Sequence, residues 1–118
     1  MPSTQNTLRA AYVAFNARDV DAVLALMHAD VDWPNGLEGG RLRGKREVRD
    51  YWRRQWEMID PHVEPVRFAD DELGRTVVEV HQVVSDLGGD IIRDEIVQHV
   101  YSLRHGLIER MEIRQAAG

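Results

Sequence analysis

Residues 31–59 read VDWPNGLEGGRLRGKREVRDYWRRQWEMI, and the fold turns on the period of the second half of this stretch. Val48, Tyr51, Trp52, Trp56 and Ile59 recur at helical spacing on one side, while Arg46, Arg49, Asp50, Arg53, Arg54 and Glu57 take the other. That pattern is an amphipathic helix laid on a core. The first half opens with Val31-Asp32-Trp33, a short strand stopped by Pro34 and the Asn35-Gly36 turn. Gly39-Gly40 and Gly44 then frame an irregular crossing into the helix. All 3 tryptophans of the chain lie here, more bulk than closing a small core requires. They form either an apolar plug or the wall of an apolar cavity, and function depends on which.

Upstream, Ser3 or Thr4 suits the cap of a first helix whose buried stripe is Leu8, Ala11, Tyr12 and Phe15. That helix ends near Asn16-Ala17-Arg18. Asp19 then caps a second short helix, with Val20, Val23, Leu24 and Met27 inward and Asp21 favourable in its first turn. Downstream of Asp60-Pro61 the period changes to alternation. Strands are expected over 63–69, 76–85, 91–103 and 107–114, with hairpin signals at Asp86-Leu87-Gly88-Gly89-Asp90 and Arg104-His105-Gly106. Helices followed by antiparallel strands make an α+β fold with helices on one face of a sheet.

The 118 residues suffice for one domain, 1–118, with a real core. Hydrophobic residues at 43% and charged residues at 30% suit a globular protein. The absence of cysteine removes disulfides, thiolate nucleophiles and Cys-based metal sites. A net charge of -5 without a basic stripe argues against nucleic acid as a partner. The N-terminus lacks a signal-peptide pattern and no apolar run reaches spanning length, so a cytoplasmic protein without membrane association is expected.

Strand register sets the sheet faces. Leu107, Met111 and Ile113 are taken as inward on the last strand, and pairing outward from the 104–106 loop puts Leu103 opposite Leu107 and His99 opposite Met111. The inward set on the long strand is then Arg93, Glu95, Val97, His99, Tyr101 and Leu103. Pairing across Gly88-Gly89 carries this face to Val77, Glu79, His81 and Val83, with His81 opposite Glu95. The opposite face would carry Val78, Val80, Val84, Ile92, Ile96 and Val100, which is apolar where solvent is expected. Either a second subunit covers it, the preferred reading, or a bulge exchanges the faces.

Several motifs are shared with a known family: residues 12–21 (YVAFNARDVD), the strand before Trp33-Pro34, Arg43-Gly44-Lys45 leading into the third helix, and residues 99–108 (HVYSLRHGLI). On these the chain resembles the SnoaL-like branch of the nuclear transport factor 2-like (ketosteroid isomerase-like) superfamily along essentially its whole length. The resemblance implies a cone of three N-terminal helices over a curved antiparallel sheet, an internal pocket, and a homodimer through the outer sheet face. Ketosteroid isomerases place a tyrosine on the first helix, near Tyr12 but one residue out of register. Their general-base aspartate falls at Trp33, one position after Asp32, and their hydrogen-bonding acid falls at His99. The chain therefore departs from the steroid-isomerase pattern, and the fold hosts many activities.

His99 leads the catalytic candidates, because a neutral imidazole can donate to a developing oxyanion or take a proton near pH 7. His81 with Glu95 forms either a base and its orienting carboxylate or a plain cross-strand ion pair. Asp32 is a general-base candidate at a cavity mouth, or simply the solvated alternate of a short strand. Trp33, Trp52 and Trp56 are taken together as ligand-wall candidates. Tyr12 and Tyr101 would each need a hydrogen-bond partner if buried, and either could donate to a carbonyl. His81, His99, Glu79 and Glu95 are suitable metal-ligand types, but strand residues four apart lie about 13 Å apart, so no metal is expected. Two functions follow: a cofactor-free cavity protein for a small apolar carbonyl compound, acting as an isomerase or cyclase, or a non-catalytic binding or dimerisation module.

Overall fold

The computed structural model describes residues 3–115. Its elements are α1 (Thr4–Asn16), α2 (Val20–Leu24), β1 (Met27–Pro34), β2 (Arg41–Arg43), α3 (Lys45–Met58), β3 (Asp60–Asp70), β4 (Thr76–Ser85), β5 (Ile91–Arg104) and β6 (Leu107–Gln115). Local chemistry sets the helix boundaries. The Ser3 side chain accepts from the Asn6 N–H to cap α1, and Asp19 accepts from the Ala22 N–H to cap α2. Gly44 begins α3 at φ 87° and ψ 159°, a conformation suited to glycine, and Glu47 in the first turn accepts from the Arg43 N–H.

The fold is α+β. One six-stranded sheet runs in the order β2-β1-β6-β5-β4-β3, with the helices over one face. It is mixed, not wholly antiparallel as expected, because β1 pairs parallel with β6. Strand β1 begins at Met27, earlier than predicted, so Met27 is a core strand residue instead of a helical one. Short β2 occupies part of the crossing that the glycines suggested would be irregular, its ladder running from Asp32↔Arg43 to Pro34↔Arg41.

Two hairpins decide which side chains face the helices. At the β5–β6 turn Arg104 pairs with Leu107, leaving His105 (φ 53°) and Gly106 (φ 79°) as a two-residue loop, tighter than expected. This turns Ile108, and not Leu107, into the core. An extra residue at Glu109 then shifts the ladder again, placing Tyr101 opposite Met111 and His99 opposite Ile113. The two displacements cancel in parity, and His99 keeps its inward side.

At the β4–β5 hairpin the loop itself is as predicted, with Ser85 opposite Ile91. Ile92 is an extra residue, however, so Val84 faces Arg93 and Gln82 faces Glu95. This exchanges the faces of β4. Val78, Val80 and Val84 are core residues, whereas Glu79 and His81 sit on the outer face with Val77 and Val83. The apolar outer face expected from the sequence is accordingly much reduced.

Candidate active site

The candidate site is built from α1, β1, α3 and β5. Tyr12 lies on the buried stripe of α1 with Leu8 and Ala11, and His99 and Tyr101 share the inward face of β5 two residues apart. Tyr101 Oη donates to Tyr12 Oη at 2.8 Å, and Tyr12 Oη lies 2.8 Å from His99 Nδ1. With Tyr101 donating to it, the Tyr12 hydroxyl can give its own proton to Nδ1, and in that arrangement the ring hydrogen lies on Nε2. Among the described residues Nε2–H has no protein acceptor, and His99 lines the cavity. Burial pushes His99 down to about 4, so the imidazole is neutral at pH 7. Burial likewise raises both phenols well above the ordinary tyrosine range. The chain of three groups is thus uncharged, with a single donor left over.

These groups line a chamber of about 100 Å³ whose walls include Phe15, Trp33, Trp52, Met27, Ile108 and Met111. Trp33 and Trp52 meet edge to face at 5.6 Å, giving two sides of an aromatic box. Among the described residues no Asp, Glu, Lys or Arg lines this chamber. Tyr51, Gln55, Pro61, Gln82 and Ile113 belong both to it and to an outer vestibule of about 370 Å³, forming a neck between them. Ligand pockets usually span roughly 300–1,000 Å³. The chamber alone falls below that range and the vestibule falls within it.

Of the residues singled out from sequence, Tyr12, Trp33, Trp52, His99 and Tyr101 converge on this chamber. Glu95 lies in the vestibule, and its neighbour is Gln82, not His81. His81 is outside, carried there by the Ile92 bulge, and hydrogen-bonds Asp94 at 2.7 Å. Asp32 is also outside, alternating with the inward Val31 and Trp33. Its carboxylate is held by Arg41 at 2.7 Å, by Arg110, and more loosely by Arg43 at 3.9 Å. Desolvation acts to raise its pKa, but the hydrogen bond and charge of Arg41, with the charges of Arg110 and Arg43, outweigh it and hold the carboxyl below its ordinary value. Such a group is a poor base. Trp56 does not line the chamber; it backs Trp52 as a stacked neighbour at 6.1 Å with the Arg18 guanidinium over its ring, and its buried indole N–H has no partner among the described residues.

Sequence reasoning missed Gln55 and Gln82. Gln55 stands four residues after Tyr51 on the inward side of α3, a spacing that could have found it. Gln82 was hidden by the inverted parity of β4. No three His, Asp or Glu side chains among the described residues gather as a metal site.

A helical lid, an open mixed sheet and a chamber ending in a strand-borne histidine agree with one family, whose model, the SnoaL-like domain, matches residues 8–111. The chain belongs to the SnoaL-like domain family. Solved structures agree on the fold of this SnoaL-like protein. TerC, crystallised with polyporic acid, is 25% identical with a TM-score of 0.81, covering 93% of this chain and 88% of its own. An NTF2-like protein of unknown function from Burkholderia pseudomallei is 28% identical with a TM-score of 0.83, covering 98% and 92%. A Mycobacterium tuberculosis LEH-like epoxide hydrolase, at 22% identity and TM-score 0.77 over 93% and 80%, shares the fold. No curated protein sequence matches the chain. No helix among the described residues is long and apolar enough to cross a membrane.

Proposed function

We propose that this SnoaL-like protein binds a neutral, flat, carbonyl-bearing aromatic molecule, with the carbonyl oxygen accepting from His99 Nε2–H. The observation that carries this reading is the Tyr101–Tyr12–His99 chain at the end of an otherwise uncharged aromatic chamber. A donor fixed from behind by two phenols is preorganised, and a preorganised donor in a low-dielectric site stabilises a developing oxyanion far better than water does. The reaction that suits it is isomerase- or cyclase-type chemistry, in which a base entering from solvent takes the proton from the carbon next to the carbonyl and charge moves onto the oxygen held by His99. His99 acts there as a hydrogen-bond donor. Passing its proton on and drawing one through Tyr12 would leave Tyr101 as a phenolate, which burial opposes. The co-crystallisation of TerC with polyporic acid, itself an aromatic quinone, is in keeping with this ligand class.

One observation favours a second reading, binding without turnover: the chamber contains no ionised side chain to take the proton. Enolisation separates the two. Aryl methyl ketones incubated in D2O exchange the protons next to the carbonyl, and NMR reads the rate with and without protein. Saturable acceleration that His99→Ala removes, with folding retained, supports the enzyme. Binding seen as tryptophan quenching without acceleration supports the second reading, and absence of binding by ketones and by polyporic acid overturns both. The working unit in this proposal is a homodimer through the outer sheet face, where Ile96 is 42% exposed with the half-buried Val83 diagonal to it across the β4–β5 ladder. Sedimentation velocity tests it, a monomer at micromolar concentration being the contrary result.

A further inference from the structure

The inward face of β5 carries a second polar station beyond the one used above. His99, Val97 and Glu95 project from this face in turn, and between them the ladder to β4 is regular, with Val97 opposite Val80 and Glu95 opposite Gln82. The order is polar, apolar, polar. Val97 and Val80 are buried, whereas the Glu95 side chain is 35% exposed and opens into the vestibule. Gln82 Nε2 reaches Glu95 Oε1 at 3.5 Å and Arg93 approaches the same oxygen at 3.8 Å, so neither fills that carboxylate's hydrogen-bonding capacity. Glu95 is also the sole carboxylate among the vestibule residues described.

We propose that Glu95, positioned by Gln82, accepts a hydrogen bond from a hydroxyl at the far end of the ligand. The inference rests on the reading that the carbonyl sits at His99, and it narrows the ligand class. Four strand residues span roughly 13 Å, and a hydrogen bond of about 2.8 Å is needed at each end. The ligand therefore carries its hydroxyl roughly 8–13 Å from its carbonyl oxygen, depending on how far the two hydrogen bonds lie along the strand, with a flat apolar body between them crossing the Gln55–Gln82 neck. Hydroxylated aryl ketones and quinones of two or more rings have that shape. The inner chamber selects the carbonyl, and the vestibule selects the hydroxyl.

Chalcone and 4-hydroxychalcone form a matched probe pair, differing only in a phenol at the end remote from the carbonyl. Affinities for both are read from quenching of tryptophan fluorescence. The wild-type chain is expected to prefer 4-hydroxychalcone about ten-fold, the size of a charge-assisted hydrogen bond. In Glu95→Ala the ratio of the two dissociation constants falls to near one, and in the isosteric Glu95→Gln it falls part of the way. Equal affinities in the wild type, or a preference that survives in both variants, overturn the second station while leaving the His99 site standing. Failure of both compounds to bind overturns the His99 reading and this one with it.

Discussion

His99 ties stability to chemistry at a single ring. Its pKa falls from 6.5 to about 4 because burial disfavours the imidazolium. Between those values the unfolded chain binds a proton that the folded chain does not, so stability rises with pH across this window and is flat above it. Each unit corresponds to about 1.36 kcal/mol, so acidifying from pH 7.5 to 5 should cost about 2 kcal/mol through this residue. Urea unfolding of the wild type and His99→Gln at both values checks it. Other titrations cancel in the difference, and a difference independent of pH would mean that the folded ring is solvated. Tyr12 acts one bond further back. Tyr12→Phe leaves His99 Nδ1 and the Tyr101 hydroxyl without their partner, at a cost of about 1–3 kcal/mol. It should also release the tautomer, which the nitrogen shifts of the imidazole report by NMR. Tyr12 was legible in sequence because a long helix has an unambiguous period, and His99 and Tyr101 were read inward because the two displacements in the β5–β6 ladder restore parity. Their mutual bonding was not, since residues 87 positions apart meet only through the tertiary fold.

At the scale of elements, what sequence conveys is existence and order, and what it conceals is parity. Alternation located β4, β5 and β6, but an extra residue changes nothing in an alternating pattern except which half faces inward. The tight His105-Gly106 turn and the Glu109 bulge offset each other, so the site-bearing strand was read on its correct side. The Ile92 bulge had no counterpart, which sent His81 outside and brought Gln82 in. Deleting Ile92 tests this account directly. It would force either a new bulge or a ladder that turns Glu79 and His81 under the helices, and burial of unpaired charge should leave the variant largely unfolded by circular dichroism. A native-like spectrum with His81 protected from solvent would refute the assignment. The entry to α3 is a second sensitive point. Gly44 at φ 87° and ψ 159° occupies backbone space that is essentially glycine's alone, so Gly44→Ala should destabilise by about 1–3 kcal/mol. The added methyl would sit 3.7 Å from the Ala29 carbonyl oxygen, so the loss seen in urea unfolding measures strain and not a clash.

For the molecule as a whole, the parallel β1–β6 pairing is the join between the β1–β2 edge and the long-stranded hairpins, and its register is irregular between Met27 and Asp32. Side chains reinforce it from outside. Asp32 on β1 binds Arg41 on β2 and Arg110 on β6, and Arg41 also donates to the Met111 carbonyl at 2.7 Å. This one carboxylate spans three strands, and β1 in turn carries Trp33 into the chamber. Asp32 therefore supports the cavity from the opposite side of the sheet, and its chemistry differs from the base that its place beside Trp33 suggested. The two roles predict opposite behaviour in Asp32→Asn. As a strand-joining ion pair, the variant should lose about 1–3 kcal/mol in urea unfolding and should weaken ligand binding and any turnover only in proportion to the folded fraction. As a general base, it should melt like the wild type while turnover disappears. The structure favours the first outcome, because two arginines already occupy the carboxylate oxygens and its side chain is only 13% exposed. Measuring the unfolding midpoint and the tryptophan-quenching titration on one preparation decides between them, since a stable variant with normal binding and no turnover would return Asp32 to the reaction.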